Sequence, residues 1–285
     1  MKGTQLFPFY FEAKPKTLNK IQVFIKFLDK FYKQTFGYVG NKLLPTYPIT
    51  NPCATKQLLL YLPSKKLAPV YHDINGDTFW LLPERAVYWE QQNSLIIADL
   101  HLGKTGHFRK SGIAVPQAVY KEDLQRLFAL IQYHKPEQLI IVGDMFHSRE
   151  NKEMDFFTRW RNDLFQLNIE LVKGNHDILH NDWYSQNSIK LNSSRLRVGS
   201  FSFVHDPAEA AISETEEMLY CFSGHVHPGI RISSGSRQSL SFPCFHFSGG
   251  GAVLPAFSQF TGYVIIKPKK QDAVYAIVNK TLIKL

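Results

Sequence analysis

The chain has 285 residues, 44% of them apolar, with three cysteines and a formal net charge of +9. That is enough apolar material for one sizeable α/β core or two small ones. No stretch approaches ~18 uninterrupted apolar residues, and the run Gln5 to Phe11 is broken by Pro8 and followed by Glu12; stable membrane insertion and a secretion signal are therefore not expected. Cys53, Cys221 and Cys244 show no CxxC spacing and leave one unpaired in any disulfide scheme, which suits a reducing, cytoplasmic setting.

Residues 1–70 contain 11 Lys, no Arg, and only Glu12 and Asp29 as acids, so they account for the whole +9; residues 71–285 hold 22 basic and 22 acidic side chains. The charge thus separates a basic N-terminal extension of unknown role, 1–70, from a neutral main domain, 71–285. Within the extension, Leu18, Ile21, Phe24, Ile25, Leu28, Phe31 and Tyr32 recur at helical spacing between lysines, and Pro45, Pro48 and Pro52 mark a linker. A basic amphipathic helix is expected there, packed on the main domain or free to meet a partner or a membrane surface.

In the main domain, Thr78–Leu82 and Ala86–Trp89 read as short strands, followed by an apolar strand Leu95–Ala98. A helix starting at Pro116 continues through Leu124, Leu127, Phe128 and Ile131; then come a strand Leu139–Val142, a helix Lys152–Leu167 and a strand Ile169–Val172. This alternation predicts parallel strands joined by crossovers. Further strands are expected at Leu196–Val204, Leu219–Phe222, Gly229–Ile232, Leu240–Phe247 and Tyr263–Ile266. The resulting fold class is α/β, with two packed mixed β-sheets flanked by helices.

Polar motifs end these strands: Asp99-Leu100-His101, Gly143-Asp144, Gly174-Asn175-His176-Asp177, Val204-His205-Asp206 and Gly224-His225-Val226-His227. Carboxylate, imidazole and amide oxygen without thiolate suit borderline-hard divalent ions such as Mn²⁺, Fe²⁺ or Zn²⁺ and argue against a structural zinc site. On an extended chain, Asp-x-His and His-x-His would each present two donors on one face. Gly143, Gly174 and Gly224 fall where a Cβ would crowd such a site.

Any one of these motifs is ordinary turn chemistry, but five in this order are not. They resemble the signature of the calcineurin-like metallophosphoesterases, D-x-H, GD, GNHD/E, H and GHxH, across residues 99–227. The resemblance implies an αββα sandwich holding two divalent ions, with Mn²⁺ the leading candidate. Asp99, His101 and His227 would bind one ion, and Asn175, His205 and His225 the other. Asp144 would bridge them, and a hydroxide shared by the ions would be the nucleophile. It also implies that His176 contacts the phosphate and assists the leaving oxygen, with Asp177 orienting its imidazole. The chain departs from the pattern at His147, where many members have Asp.

A narrower similarity lies in Leu81–Ala86, Asp99–Lys104 and Phe108–Gly112, which resemble the bacterial ligase-associated metallophosphoesterases, described as DNA-damage-response endonucleases and encoded near a DNA ligase and a DEXH-box helicase. That implies a DNA substrate, a role in DNA repair, and Lys104, Arg109 and Lys110 as phosphate-backbone contacts. Two other readings remain open: a phosphatase or pyrophosphatase for nucleotides or other metabolites, and a non-catalytic scaffold. His72, His107, His134, His180 and His246 lie outside the motifs and read as ordinary surface or core histidines, and Ser248–Gly251 as a turn.

Overall fold

The computed structural model describes residues 70–103, 118–147, 152–211, 219–233 and 239–285. The expected basic helix and linker, the helix start at Pro116, His107, Cys53, and Lys104, Arg109 and Lys110 lie outside these residues. Two mixed sheets form the body. The first has seven strands in chain order: β1 (Val70–Ile74), β2 (Asp77–Leu82), β3 (Ala86–Trp89), β4 (Ser94–Ala98), β5 (Gln138–Val142), β6 (Asn168–Val172) and β7 (Ile189–Asn192). Its first four strands are antiparallel meanders, and β4 to β7 run parallel.

Parallel neighbours require crossovers, and the described helices lie in them: α1 (Ala118–His134) between β4 and β5, α2 (Lys152–Asp163) between β5 and β6, and α3 (Asn181–Gln186) between β6 and β7. Being covered on both faces, β4 and β5 are almost continuously apolar, Ser-Leu-Ile-Ile-Ala and Gln-Leu-Ile-Ile-Val, and β4 is buried throughout. The helix expected to reach Leu167 stops at Asp163. There the chain tightens into turns, Leu164 N–H to Arg161 O and Leu167 N–H to Leu164 O, and the buried Arg161 guanidinium donates to the carbonyls of Leu164, Asn187 and Ser188.

The second sheet contains β8 (Arg195–Val198), β9 (Phe201–Val204), β10 (Tyr220–Ser223), β11 (Pro228–Ser233), β12 (Ser239–Phe247), β13 (Gly251–Val253), β14 (Val264–Ile265), β15 (Ala273–Val278) and β16 (Thr281–Lys284). The single strand expected over Leu196–Val204 is a hairpin, β8 and β9, because Gly199 turns at φ +56. The Ser248–Gly250 turn joins β12 to β13, closed by Ser248 N–H to Gly251 O at 2.8 Å.

The sheets meet through a common core. Phe79, Leu81, Val87, Trp89, Ile96, Ile140 and Val142 come from the first, and Phe201, Phe203, Phe222, Phe245, Phe247 and Tyr275 from the second. Aromatic rings dominate: Phe79 lies 4.9 Å from Phe222 and 5.1 Å from Phe201, and Phe203 stacks on Phe222 at 5.4 Å. The alternate residues Leu95, Ile97, Leu139, Ile141, Ile169 and Leu171 are buried as well, and strand alternation turns them to the opposite, helix-bearing face. Cys221 and Cys244 are buried free thiols.

Phe222 is fully buried between both sheets, so Phe222→Ala should lower unfolding free energy by about 3–5 kcal/mol. Leu240→Ala, at a position 67% exposed, should change it little. Urea denaturation monitored by circular dichroism checks both.

Candidate metal centre

All seven expected ligands sit at strand ends along one edge. Asp99 and His101 follow β4, Asp144 follows β5, Asn175 follows β6, His205 follows β9, and His225 and His227 lie between β10 and β11. Since β4, β5 and β6 are parallel, and β9 and β10 are parallel, the polar loops after them emerge together. Those loops are stitched to one another: His101 N–H donates to Asp144 O and Leu102 N–H to Met145 O, both at 2.9 Å, and Gly224 N–H to His205 O at 3.0 Å.

Two donor groups result, Asp99–His101–His227 and Asp144–His205–His225. In the first, His101 Nε2 lies 3.3 Å from His227 Nε2, which is 3.5 Å from Asp99 Oδ2. In the second, His205 Nε2 lies 2.9 Å from Asn175 Oδ1, 3.0 Å from His225 Nδ1 and 3.6 Å from Asp144 Oδ1. Donors coordinated at about 2.0–2.2 Å to one ion stand roughly 3.0–3.5 Å apart, so these sets fit divalent ions. Burial fits as well: Asp99 is fully buried, its Oδ1 has no hydrogen-bond partner among the described residues, and burial pushes its carboxyl above the usual range, opposed by His227 and His205. A cation beside it removes that penalty.

The expected extended chain at the paired ligands is corrected. Asp99 (φ +52), His101 (φ +50), Asp144 (φ +42), His225 (φ +63) and His227 (φ +49) all have left-handed backbone, a conformation that costs non-glycine residues roughly 1–2 kcal/mol each. The donors converge because the chain coils back at each of them, not because of a strand's two-residue period. Close packing holds the coils. A Cβ on Gly143 would strike the His205 imidazole, one on Gly174 the Asp144 carboxylate, and one on Gly224 would stand 2.6 Å from Asp99 Oδ2.

His176 is half-buried at the rim; its N–H donates to Asp144 Oδ1 at 2.9 Å, and its ring lies 4.2 Å from His147 and 5.9 Å from His101. Asp177 does not take the part of an imidazole partner. Its two carboxylate oxygens accept the N–H groups of Phe146 and Gly174, each at 2.9 Å. It therefore clamps the loops that bear Asp144 and Asn175, although burial pushes its carboxyl up to about 7. Asn175 and His225 are exposed whereas Asp99, His101, Asp144 and His205 are buried, so the centre opens on the Asn175–His176–His225 side.

One supporting element escaped the sequence reading. Phe257 N–H donates to Ala98 O at 2.7 Å and Ser258 N–H to Asp99 O at 3.3 Å, which straps residues 256–259 over the first ligand. Arg85 donates to the carbonyls of Ala256 and Ser258, Arg126 to Phe257 O, and Asp123 accepts Gln259 N–H while pairing with Arg126 at 2.9 Å. Arg85 stands inside the Leu81–Ala86 stretch; the other available signal was the Asp123–Arg126 pair on a helix face that is otherwise apolar. The histidines outside the motifs that lie among the described residues have local partners. His72 meets Tyr275 Oη at 3.0 Å, His246 meets Asp272 at 2.8 Å, His134 stacks on Tyr88, and His180 caps α3.

Gly143→Ala should displace His205 and cut bound metal sharply. Gly249→Ala, where a Cβ meets nothing within 4 Å, should leave metal content intact; elemental analysis of the purified variants checks this.

Residues 93–232 match the family of calcineurin-like phosphoesterases. Among proteins of curated function, none shows significant similarity to the chain. Among solved structures, the Pseudomonas putida nuclease MPE is 28% identical with a TM-score of 0.64, over 76% of this chain and 100% of that one. A protein of unknown function from Aquifex aeolicus (18% identity, TM-score 0.34, 47% of this chain and 78% of that one) and Yfce, a phosphoesterase from E. coli (11%, 0.37, 67% and 97%), are more distant. With five polar motifs gathered at one edge into two donor sets of metal-binding spacing, residues 93–232 form a calcineurin-like phosphoesterase domain, and the protein is a metal-dependent phosphoric ester hydrolase.

Proposed function

We propose that this protein is a DNA phosphodiesterase, an endonuclease of DNA repair, working with two divalent ions of which Mn²⁺ is the first candidate. The observation that supports it most is the coincidence of two adjacent donor sets with a likeness, over the full length of that chain, to a nuclease. Asp99, His101 and His227 would hold one ion and Asn175, His205 and His225 the second, with Asp144 shared between the two sets; ions held there would supply Lewis-acid activation of water and counter-charge for the phosphoryl oxygens. No helix among the described residues is long and apolar enough to cross a membrane. The same reading makes residues 71–285 the catalytic domain, residues 1–70 an extension, the setting cytoplasmic, and a DNA ligase and a DEXH-box helicase the functional associates.

The remaining chemistry falls to the rim. His176 stands beside the buried ligands yet reaches solvent, which suits a side chain that touches the phosphate and gives a proton to the leaving oxygen. Asp177 serves it indirectly by fixing the Gly174–Asp177 loop. Lys104, Arg109 and Lys110 follow the first metal motif in sequence and contact phosphates flanking the scissile one.

His176→Ala should keep its metal while kcat falls by roughly 10²–10⁴-fold. Equal loss of metal and activity would make it a ligand or a prop instead, and metal analysis beside steady-state kinetics decides. The substrate class is settled by offering manganese-loaded protein circular single-stranded DNA, nucleotides and a simple phosphodiester side by side. Cleavage of the circle is expected; an intact circle with rapid monoester hydrolysis would establish a small-molecule phosphatase.

A further inference from the structure

The neutral balance of residues 71–285 conceals a division. Residues 71–227, which carry every metal ligand, contain 15 basic and 21 acidic side chains, whereas residues 228–285 contain seven Lys and Arg against Asp272 alone. That one acid is engaged, meeting His246 at 2.8 Å and accepting Lys269 N–H at 2.8 Å. Arg231, Lys267, Lys269 and Lys270 are all exposed.

The fold joins part of this basic surface directly to the metal centre. β11 begins at Pro228, next to the ligand His227, and its parallel neighbour β14 is attached by Val264 N–H to His227 O at 2.9 Å and Ile266 N–H to Gly229 O at 2.8 Å. Ile230, Ile232 and Ile266 turn into a small core with Cys244, Val274 and Ala276. By strand alternation, Gly229, Arg231 and Lys267 occupy the opposite, outer face. The pairing of Gly229 with Ile265 carries Lys267 level with Arg231. A Cβ on Gly229 would collide with the Tyr263 ring, so that ring lies against the glycine on this same outer face; it is 39% exposed, and its hydroxyl donates to Ser241 O at 2.7 Å.

An aromatic platform followed by spaced cations is how proteins hold single-stranded nucleic acid without reading its sequence: bases stack on the ring and phosphates meet the cations. At about 3.3 Å per residue, Lys267 stands roughly 10 Å along the chain from Val264, and Lys269 opens the turn closed by Asp272 N–H to Lys269 O at 3.0 Å. We infer that the outer face of β11 and of the chain running through β14, with Tyr263, Arg231 and Lys267 on it and Lys269 just beyond, is a track for a single nucleic-acid strand leading away from the metal centre. This rests on the DNA phosphodiesterase reading and extends it by naming the strand's path.

The test measures binding of oligothymidylates to the full-length, manganese-loaded protein across a range of salt, using a non-hydrolysable phosphorothioate backbone. Replacing Arg231, Lys267 and Lys269 with Ala should lower the slope of log affinity against log salt by about 2, near 0.7 per lost contact. Tyr263→Leu, which keeps bulk but loses the π-face, should weaken binding about 10- to 100-fold, and Tyr263→Phe should restore it. Lys280→Ala with Lys284→Ala, exposed on the far hairpin, should leave the slope as in the wild type. Thermal melting confirms that each variant is folded. A wild-type slope that survives the triple substitution overturns the track and leaves the nuclease reading standing. Absence of salt-dependent binding by the wild type overturns both.

Discussion

Asp99 is fully buried at the end of β4, with Asp144 and His205 almost as enclosed, and the energetic demand of that arrangement shapes everything around it. A carboxylate taken out of water is strongly disfavoured unless a positive charge lies beside it. The side chains nearest it, His227 at 3.5 Å and His205 at 3.8 Å, are themselves crowded by further donors, His101 at 3.3 Å from His227 and His225 at 3.0 Å from His205. Divalent cations meet the need, and the cavity is formed so that they are the natural counter-charge.

Concentrating so many donors in so little space brings strained backbone, and five of the candidate ligands lie in the left-handed region. Such strain persists only where surrounding contacts over-determine it. Here they do. Inter-loop hydrogen bonds tie the Asp99–His101 turn to the Asp144 turn, Asp177 clamps two loops at once, and the 256–259 strap, held by Arg85, Arg126 and Asp123, covers Asp99. The aromatic core between the sheets supplies the rigid base from which those loops project.

The same edge carries a contrast of charge that the zero balance of residues 71–285 conceals. Acidic side chains outnumber basic ones in residues 71–227, which carry the metal-binding donors, and residues 228–285 are basic, with Arg231, Lys267, Lys269 and Lys270 exposed. Averaging over the domain erases this contrast. The field near the donor sets is set by the local arrangement, since charges more than about 10 Å apart are largely screened at ordinary ionic strength.

How much of this was legible in the sequence follows from the range of each interaction. Runs such as Leu95–Ala98 and Leu139–Val142 declare buried strands because the composition of a short segment suffices, and the chain order of the polar motifs names the donors that the fold brings together. The Gly199 turn that splits Leu196–Val204 into a hairpin and the early end of α2 at Asp163 were missed because a conformational choice by one residue, or a cap supplied by Arg161, leaves little trace in apolar periodicity. Tertiary structure alone decided what depends on distant partners: the left-handed turns at the ligands, the diversion of Asp177 to backbone N–H groups, and the 171-residue reach of Arg85 to Ala256. The sequence by itself determined which donors exist and in what order. Their convergence came from parallel pairing of strands whose ends lie far apart along the chain, an arrangement no local pattern encodes.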